Sequence, residues 1–207
     1  TKLYEYDDIC DLFTNHGESG QHYITCDIAR LGNDSTVAIV WDWWIWRVFT
    51  RKKNRTTETV NFLHWLQRQY QVKNSDTICD EDWVGGGVVD QMECKGFVNN
   101  SSPILSPEEK QIRNYKNLKD QCYFELQQII ESWKMQLIVM DSDDKDLIIE
   151  ELDVIKQKNP DKWGKLQILS KDEIKSLIGR SPDRSDAIAM RMRFELNKTP
   201  ELDIYFI

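Results

Sequence analysis

The chain is poor in the features that mark whole classes of protein. Its 207 residues hold no apolar run near the roughly 20 needed to cross a bilayer, so no membrane span is expected. The opening residues, Thr1-Lys2-Leu3-Tyr4-Glu5-Tyr6, lack the basic-then-apolar order of a signal peptide. The five cysteines (Cys10, Cys26, Cys79, Cys94, Cys122) are odd in number and scattered, with no Cys-x-x-Cys pair. Neither a disulfide framework nor a zinc site is therefore expected, and a reducing cytoplasm fits best. There is no G-x-x-x-x-G-K-[ST] phosphate loop, no internal repeat and no low-complexity stretch.

Positive charge is also scarce. Lys and Arg number 27 against 35 Asp and Glu, a net charge of −8, which is the wrong sign for a bulk nucleic-acid binder. It does not exclude a nuclease, because carboxylates gathered to hold metal ions add to the acidic count. The cations are clustered instead: Arg47 to Arg55 (RVFTRKKNR) is a basic stretch, and Lys110 to Lys119 holds four more.

What is present suits one sizeable domain. Hydrophobic residues make up 40% and charged residues 30%, with eight tryptophans to fill a core. Residues 1–20 read as a lead-in with a short helix over Tyr6–Thr14, 21–200 as the folded domain, and 201–207 as a tail. Strand signals cover His22–Ile28, Ser35–Trp43, Trp44–Arg51, Asp76–Cys79, Lys95–Val98 and Leu166–Leu169. Leu137–Met140 reads as a strand or a helix end. Helical periodicity predicts Thr56–Tyr70, a short helix ending near Met92, Ile112–Trp133, Asp143–Lys158, Lys171–Leu177 and Asp183–Leu196. A β-meander followed by alternating helices and strands predicts a mixed sheet with helices on both faces.

Three acidic positions stand out by context. Asp27 ends a strand. Asp80 ends another and precedes a glycine run, with Glu81 and Asp82 beside it. Asp183 starts the last helix and Asp186 lies one turn on, on the same face. Strand ends and helix starts are where a fold can gather distant carboxylates. Phosphodiester hydrolysis wants such a gathering: two divalent ions about 3.5–4 Å apart activate a water and stabilise the leaving oxygen. Hard Mg²⁺ or Mn²⁺ takes oxygen ligands. A lone Asp in so acidic a chain is more often a cap or a solvated residue, so the chemistry depends on all of them meeting.

Three segments carry a resemblance. Tyr23-Ile24-Thr25-Cys26-Asp27-Ile28-Ala29-Arg30, followed by Gly32 and Asp34, resembles the first nuclease motif of tailed-phage terminase large subunits. Ile78-Cys79-Asp80-Glu81-Asp82-Trp83-Val84-Gly85-Gly86-Gly87 resembles the second. Ser170-Lys171-Asp172-Glu173 with Gly179-Arg180-Ser181-Pro182-Asp183-Arg184-Ser185-Asp186-Ala187 resembles the third. They stand in the family's order over roughly residues 20–196. The resemblance implies an RNase H-like fold with a five-stranded mixed sheet, and metal-dependent cleavage of double-stranded DNA during genome packaging. It matches Asp27 and Asp80 to the metal-binding acids, with two Mg²⁺ or Mn²⁺ ions, and leaves the third acid open between Asp183 and Asp186. Glu81 and Asp82 are secondary candidates. Trp83 departs from the pattern, standing where relatives carry Gly.

The family also has an ATPase motor, whose phosphate loop this sequence lacks, so the chain is expected to be the C-terminal nuclease part. Implied partners are the motor domain, the small terminase subunit and the portal protein, in the cytoplasm of a bacterial host. A Holliday-junction resolvase or transposase-like nuclease would use the same acids, and a non-catalytic portal-docking module would use none.

Other features stay open between two readings. Gly85 to Gly87 either cradle phosphate or allow a close backbone approach. Trp41, Trp43, Trp44 and Trp46 either stack on bases or pack under a helix. Arg47, Arg51, Lys52, Lys53 and Arg55 either grip DNA phosphates or form a solvated hairpin tip. His64 reads as a partly buried residue rather than a ligand, and Asp141 to Asp144 as a helix cap rather than a calcium loop.

Overall fold

The computed structural model describes residues 1–29, 35–52, 55–82, 84–104, 114–138, 141–159 and 164–196. Near-continuous buried runs in β1 (His22–Asp27) and β2 (Ser35–Asp42), covered on both faces, and the half-buried β3 (Ile45–Lys52) build an antiparallel meander. β4 (Thr77–Asp80) pairs parallel to β1, β5 (Lys95–Phe97) parallel to β4, and β6 (Gln136–Ile138) parallel to β3. The order is β5-β4-β1-β2-β3-β6, six strands where five were expected. The added strand is β6, whose three residues are too few to show a period. Leu166–Leu169, expected as a strand, makes only the isolated bridges Tyr115↔Leu166 and Gln157↔Ile168. Its Ile168 amide donates instead to Asp120 Oδ1 at 2.9 Å.

Side chains alternate between two layers. Tyr23, Val37, Ile39 and Trp41 face one side of the sheet, and Ile24, Cys26, Ala38 and Val40 the other. The second side is covered by α2 (Thr56–Tyr70) and α3 (Gly85–Met92) through Val60, Leu63, Leu66, Val88 and Met92. The first is covered by α1 (Tyr6–Asp11), α4 (Leu118–Glu131), α5 (Ser142–Asp153), α6 (Lys171–Ile178) and α7 (Asp183–Ala189). These contribute Ile9, Leu126, Ile130, Ile148, Leu152, Ile174 and Ile188 to its core. Among the described residues no helix is long and apolar enough to cross a membrane.

Helix ends follow capping chemistry. The helix expected from Ile112 begins at Leu118, where Asn117 Oδ1 accepts the Asp120 amide at 2.8 Å. Asp141 caps α5 in the same way, and Ser170 with Glu173 forms a capping box on α6. The closing helix tightens to a 3₁₀ turn at Met190–Phe194. Three of the four clustered tryptophans are core: Trp41, Trp44 and Trp46 are at most 4% exposed, Trp43 is partly buried, and Trp41 stacks on Trp46 with centroids 5.2 Å apart. No face of these three rings is open to a base. Arg191 fills the space beside them, its guanidinium 4.2 Å from the Tyr23 ring and 4.4 Å from Trp44.

The short helix α7 is buried over its whole length. Thr25 Oγ1 donates to the Ala187 carbonyl at 2.7 Å, tying it to β1. Glu151, fully buried on α5, accepts the Arg184 and Ser185 amides at 2.8 and 2.9 Å and pairs with Arg180 Nη1 at 2.6 Å. One carboxylate thus satisfies the amides that open α7, where a negative charge is favoured. Replacing it with Ala leaves those amides and Arg180 without their buried partner. Glu151→Ala is expected to destabilise the fold by about 3–5 kcal/mol, a Tm drop of roughly 10 °C at this chain length. Glu151→Gln, which keeps an acceptor, should cost less. A thermal melt of the Ala variant close to wild type would show that α7 does not depend on this contact.

Candidate active site

β1 and β4 are parallel neighbours in the register Thr25↔Ile78 and Cys26↔Cys79. The next residues are Asp27 and Asp80, so two carboxylates emerge side by side at the carboxyl ends of adjacent strands, roughly 4.8 Å apart in the sheet. In-register parallel residues share a face, and this one is the Thr25 and Ile78 face that α7 covers. The first turn of α7 then brings Asp183 and Asp186 to the same place. Ser35, at the start of β2, donates its amide to Asp183 Oδ2 at 3.2 Å. Asp27, Asp183 and Asp186 are 3%, 7% and 6% exposed, and Asp80 is half-buried.

Gathered out of water, these groups perturb one another. Burial pushes the Asp27 carboxyl well above the usual carboxylate range, the Lys171 ammonium opposes that rise, and Asp183, Asp186 and Asp80 add to it. Burial also raises Asp80, against the Asp82 amide that donates to its Oδ1 at 3.0 Å and the hydrogen bond Asp27 makes to it. Asp186 differs. Burial pushes it up but is outweighed by Lys119, 2.6 Å from Oδ1, and Lys171, 3.4 Å from Oδ2. Tyr123 also donates to Oδ1 at 2.6 Å, and the Asp186 carboxyl falls to about 2. Burial alone would lower Lys171, yet Asp186, Asp27, Asp183 and Asp80 together hold its ammonium above the ordinary lysine value.

The remaining sequence candidates are dispersed. Asp82 Oδ2 accepts from Asn99 Nδ2 at 2.7 Å beside Asp80, whereas Glu81 is exposed and its side chain lies against Gly96 on β5. Gly85 makes a close approach, since a Cβ there would collide with the Asp80 carbonyl oxygen. Gly87 has open space around it. Arg47 and Arg51 project to the α2 side of β3, with the Arg51 guanidinium 4.4 Å from the Phe62 ring. Lys52 is exposed at the strand end, and the Arg55 amide donates to Glu58 at the start of α2. Lys53 and Trp83 lie outside the described residues. His64 Nδ1 sits 3.0 Å from Gln67 Oε1 on α2, away from the acids.

Sequence reasoning missed Lys171, Lys119, Tyr123 and Glu151. Lys171 had a signal: the Ser170-x-x-Glu173 box places it in the first turn of a helix directly before the acidic one. The other three come from residues 33 to 67 positions away from Asp186, Ser185 or Arg184 that only tertiary packing brings close.

The donor set suits a hard divalent cation, because Asp27, Asp80 and Asp183 offer carboxylate oxygens alone. Among the described residues, however, no three acidic, His or Cys side chains already close around one point. The Lys171 ammonium stands among them as the local positive charge.

No protein-family model matches the sequence, and no curated protein matches it. Solved structures do. A lysine-to-alanine mutant of the nuclease domain of the large terminase subunit gp2 of bacterial virus Sf6, with manganese and beta-thujaplicinol, superposes with a TM-score of 0.79 at 17% identity. The match covers 93% of this chain and 98% of that one. The large terminase nuclease of thermophilic phage G20c matches at 0.57 and 13% identity, over 91% and 96% of the two chains. The large terminase of another thermophilic bacteriophage matches at 0.53 and 11% identity, over 91% of this chain and 43% of that longer one. The fold is that of the terminase nuclease domains, RNase H-like, as the three segments implied.

Removing the ammonium should leave the carboxylates facing one another unbalanced. Lys171→Ala is expected to lower Tm in EDTA and to enlarge the Tm rise on adding Ca²⁺ relative to wild type. The alternative, a smaller Ca²⁺-dependent rise than wild type in a thermal-shift titration, would mean that Lys171 supports the cation instead of standing in its place.

Proposed function

We propose that this chain, with the fold of phage large terminase nuclease domains, is a divalent-metal-dependent endonuclease that cuts double-stranded DNA during genome packaging. The observation that supports the reading is that Asp27 and Asp80 end adjacent strands on the face covered by α7, near enough to Asp183 and Asp186 for the charges to perturb one another. Asp27, Asp80 and Asp183 would hold two Mg²⁺ or Mn²⁺ ions. Bound there, such ions supply an activated water near neutral pH and charge stabilisation for the leaving oxygen. The Sf6 neighbour at TM-score 0.79 is a structure with manganese, which is consistent with that choice.

The chain's own residues divide the work. Asp80, held by the Asp82 amide and flanked by Asn99, keeps its carboxylate fixed at the strand end. Asp27, whose carboxyl is pushed up by burial, would be held ionised by bound cations. Asp183 is the third ligand on this reading, because Asp186 is already saturated by Lys119, Lys171 and Tyr123. Asp186 is a positioning residue: it aims Lys171 at the site, where the ammonium meets the negative charge of the scissile phosphate. The substrate is the concatemeric phage genome, and the setting is the host cytoplasm. Partners on this reading are the ATPase motor, the small terminase subunit and the portal.

The test is nicking of supercoiled plasmid with Mn²⁺ or Mg²⁺. Asp27→Asn, Asp80→Asn and Asp183→Asn are each expected to lose activity by orders of magnitude, since the ligands act as one unit. Asp186→Asn should retain divalent-ion binding by calorimetry while losing rate. Cutting at the wild-type rate by Asp27→Asn and Asp80→Asn would end the nuclease assignment. A calorimetric loss of binding confined to Asp186→Asn would exchange the roles of Asp183 and Asp186.

A further inference from the structure

Next to the acidic cluster lies a cleft of about 310 Å³ that the catalytic reading does not use. Four lysines line it: Lys116, Lys119, Lys158 and Lys171. Lys116 and Lys119 come from the entry to α4, Lys171 from the first turn of α6, and Lys158 from the segment before it. Asp82 and Asp120 are the acids of the lining, and Asn99, Asn100, Asn117 and Gln167 add amide groups. In a chain of net charge −8, this concentration of cations is local and opposed to the overall sign.

We propose that this cleft is a subsite for the phosphodiester backbone of the DNA strand being cut, carrying it past the carboxylates. The proposal rests on the nuclease reading above. Three features select the ligand. Ammonium groups are point charges that suit phosphate oxygens, and amide side chains add donors for the same oxygens. The described lining holds no aromatic residue, so the cleft offers no platform for stacked bases, and its contacts are independent of sequence. Its volume, at the lower end of ligand-sized pockets, admits a short stretch of one backbone and not a duplex.

Continuity decides the partner. Lys171 belongs both to the cleft and to the carboxylate cluster, and Asp82 joins the cleft to the Asp80 loop. A backbone whose scissile phosphate sits at Asp27 and Asp80, with Lys171 facing it, therefore has its flanking phosphates beside Lys116 and Lys158. Arg47 and Arg51 lie on the opposite side of the sheet, facing α2, and do not border this path. The described end of the Lys110 to Lys119 run, and not the Arg47 to Arg55 run, is then the basic stretch that meets DNA at the site.

The experiment uses Lys116→Glu, Lys158→Glu and the double variant, leaving Lys119 and Lys171 alone because both contact Asp186. Binding of labelled single-stranded and duplex oligonucleotides is followed by anisotropy in EDTA across a salt series. Turnover of bis(p-nitrophenyl) phosphate with Mn²⁺ is measured in parallel, a diester too small to reach from the acids into the cleft. The double variant is expected to bind with a log K against log salt slope shallower by about 1.4 to 1.8, roughly 0.7–0.9 for each lost phosphate contact. Small-diester turnover should stay at wild-type level, as should binding by Arg47→Ala. A double variant with wild-type slope and affinity overturns the subsite. So does displacement of the oligonucleotide by millimolar inorganic phosphate or a mononucleotide, which would mark a site for free phosphate. Lys158 also pairs with Glu173. Should its Glu variant unfold by circular dichroism, Lys116→Gln with Lys158→Gln carries the same slope test. A wild type inert toward the small diester would overturn the nuclease reading instead, and the binding series would still decide the cleft.

Discussion

Carboxylates held out of water at one end of a sheet repel one another, and the arrangement around them offsets that repulsion. Two like charges about 4 Å apart cost on the order of 4 kcal/mol even at the effective dielectric of a protein surface. Four of them are sustained here by three devices. Asp27 is hydrogen-bonded to Asp80, Asp186 is paired with two ammonium groups, and Lys171 faces all four.

The fold meets the constraint by register and face. Because β1 and β4 run parallel and in step, their terminal residues meet at one height on one face. A slip of one residue would turn either carboxylate toward α2 and α3. On the correct face, α7 must sit deep enough for its first turn to reach them. Its short length gives it little stability of its own. It is therefore held from outside, through Thr25 on β1, Tyr123 on α4 and Glu151 on α5. The buried acid at the start of α7 and the buried acids it delivers are two ends of one electrostatic arrangement, which explains why so much charge lies inside so small a layer.

Much of this was legible in the chain, and the failures have physical causes. The meander, α2 and the capped helices follow from period and cap chemistry, which are local. Asp27 and Asp80 were legible because strand ends and a glycine run flank them, and Gly85 turned out to be a close approach to the Asp80 backbone. The short strand β6 was legible only as a strand or a helix end at Leu137–Met140, and the non-strand at Leu166–Leu169 was not legible. Pairing in both is decided by a distant partner, β3 in one case and the Asp120 side chain in the other. The choice between Asp183 and Asp186 was also closed to sequence, since it turns on Lys119 and Tyr123, which lie more than sixty residues upstream. The Arg47 to Arg55 run is continuous along the chain, yet Arg47 and Arg51 share the α2 side of β3 while Arg55 lies at the start of α2.

Net charge, finally, is a poor guide to what this surface attracts. At physiological salt the Debye length is roughly 8 Å, so a phosphate near the surface senses the charges of its own neighbourhood and little of the rest. The four cleft lysines stand together within one such neighbourhood, with Asp82 and Asp120 beside them and Asp186 and Glu173 as ion-pair partners, so the local balance there differs from the excess of acids over the chain as a whole. An acidic chain with its cations gathered in that way favours encounters that lead directly to the site over adhesion elsewhere.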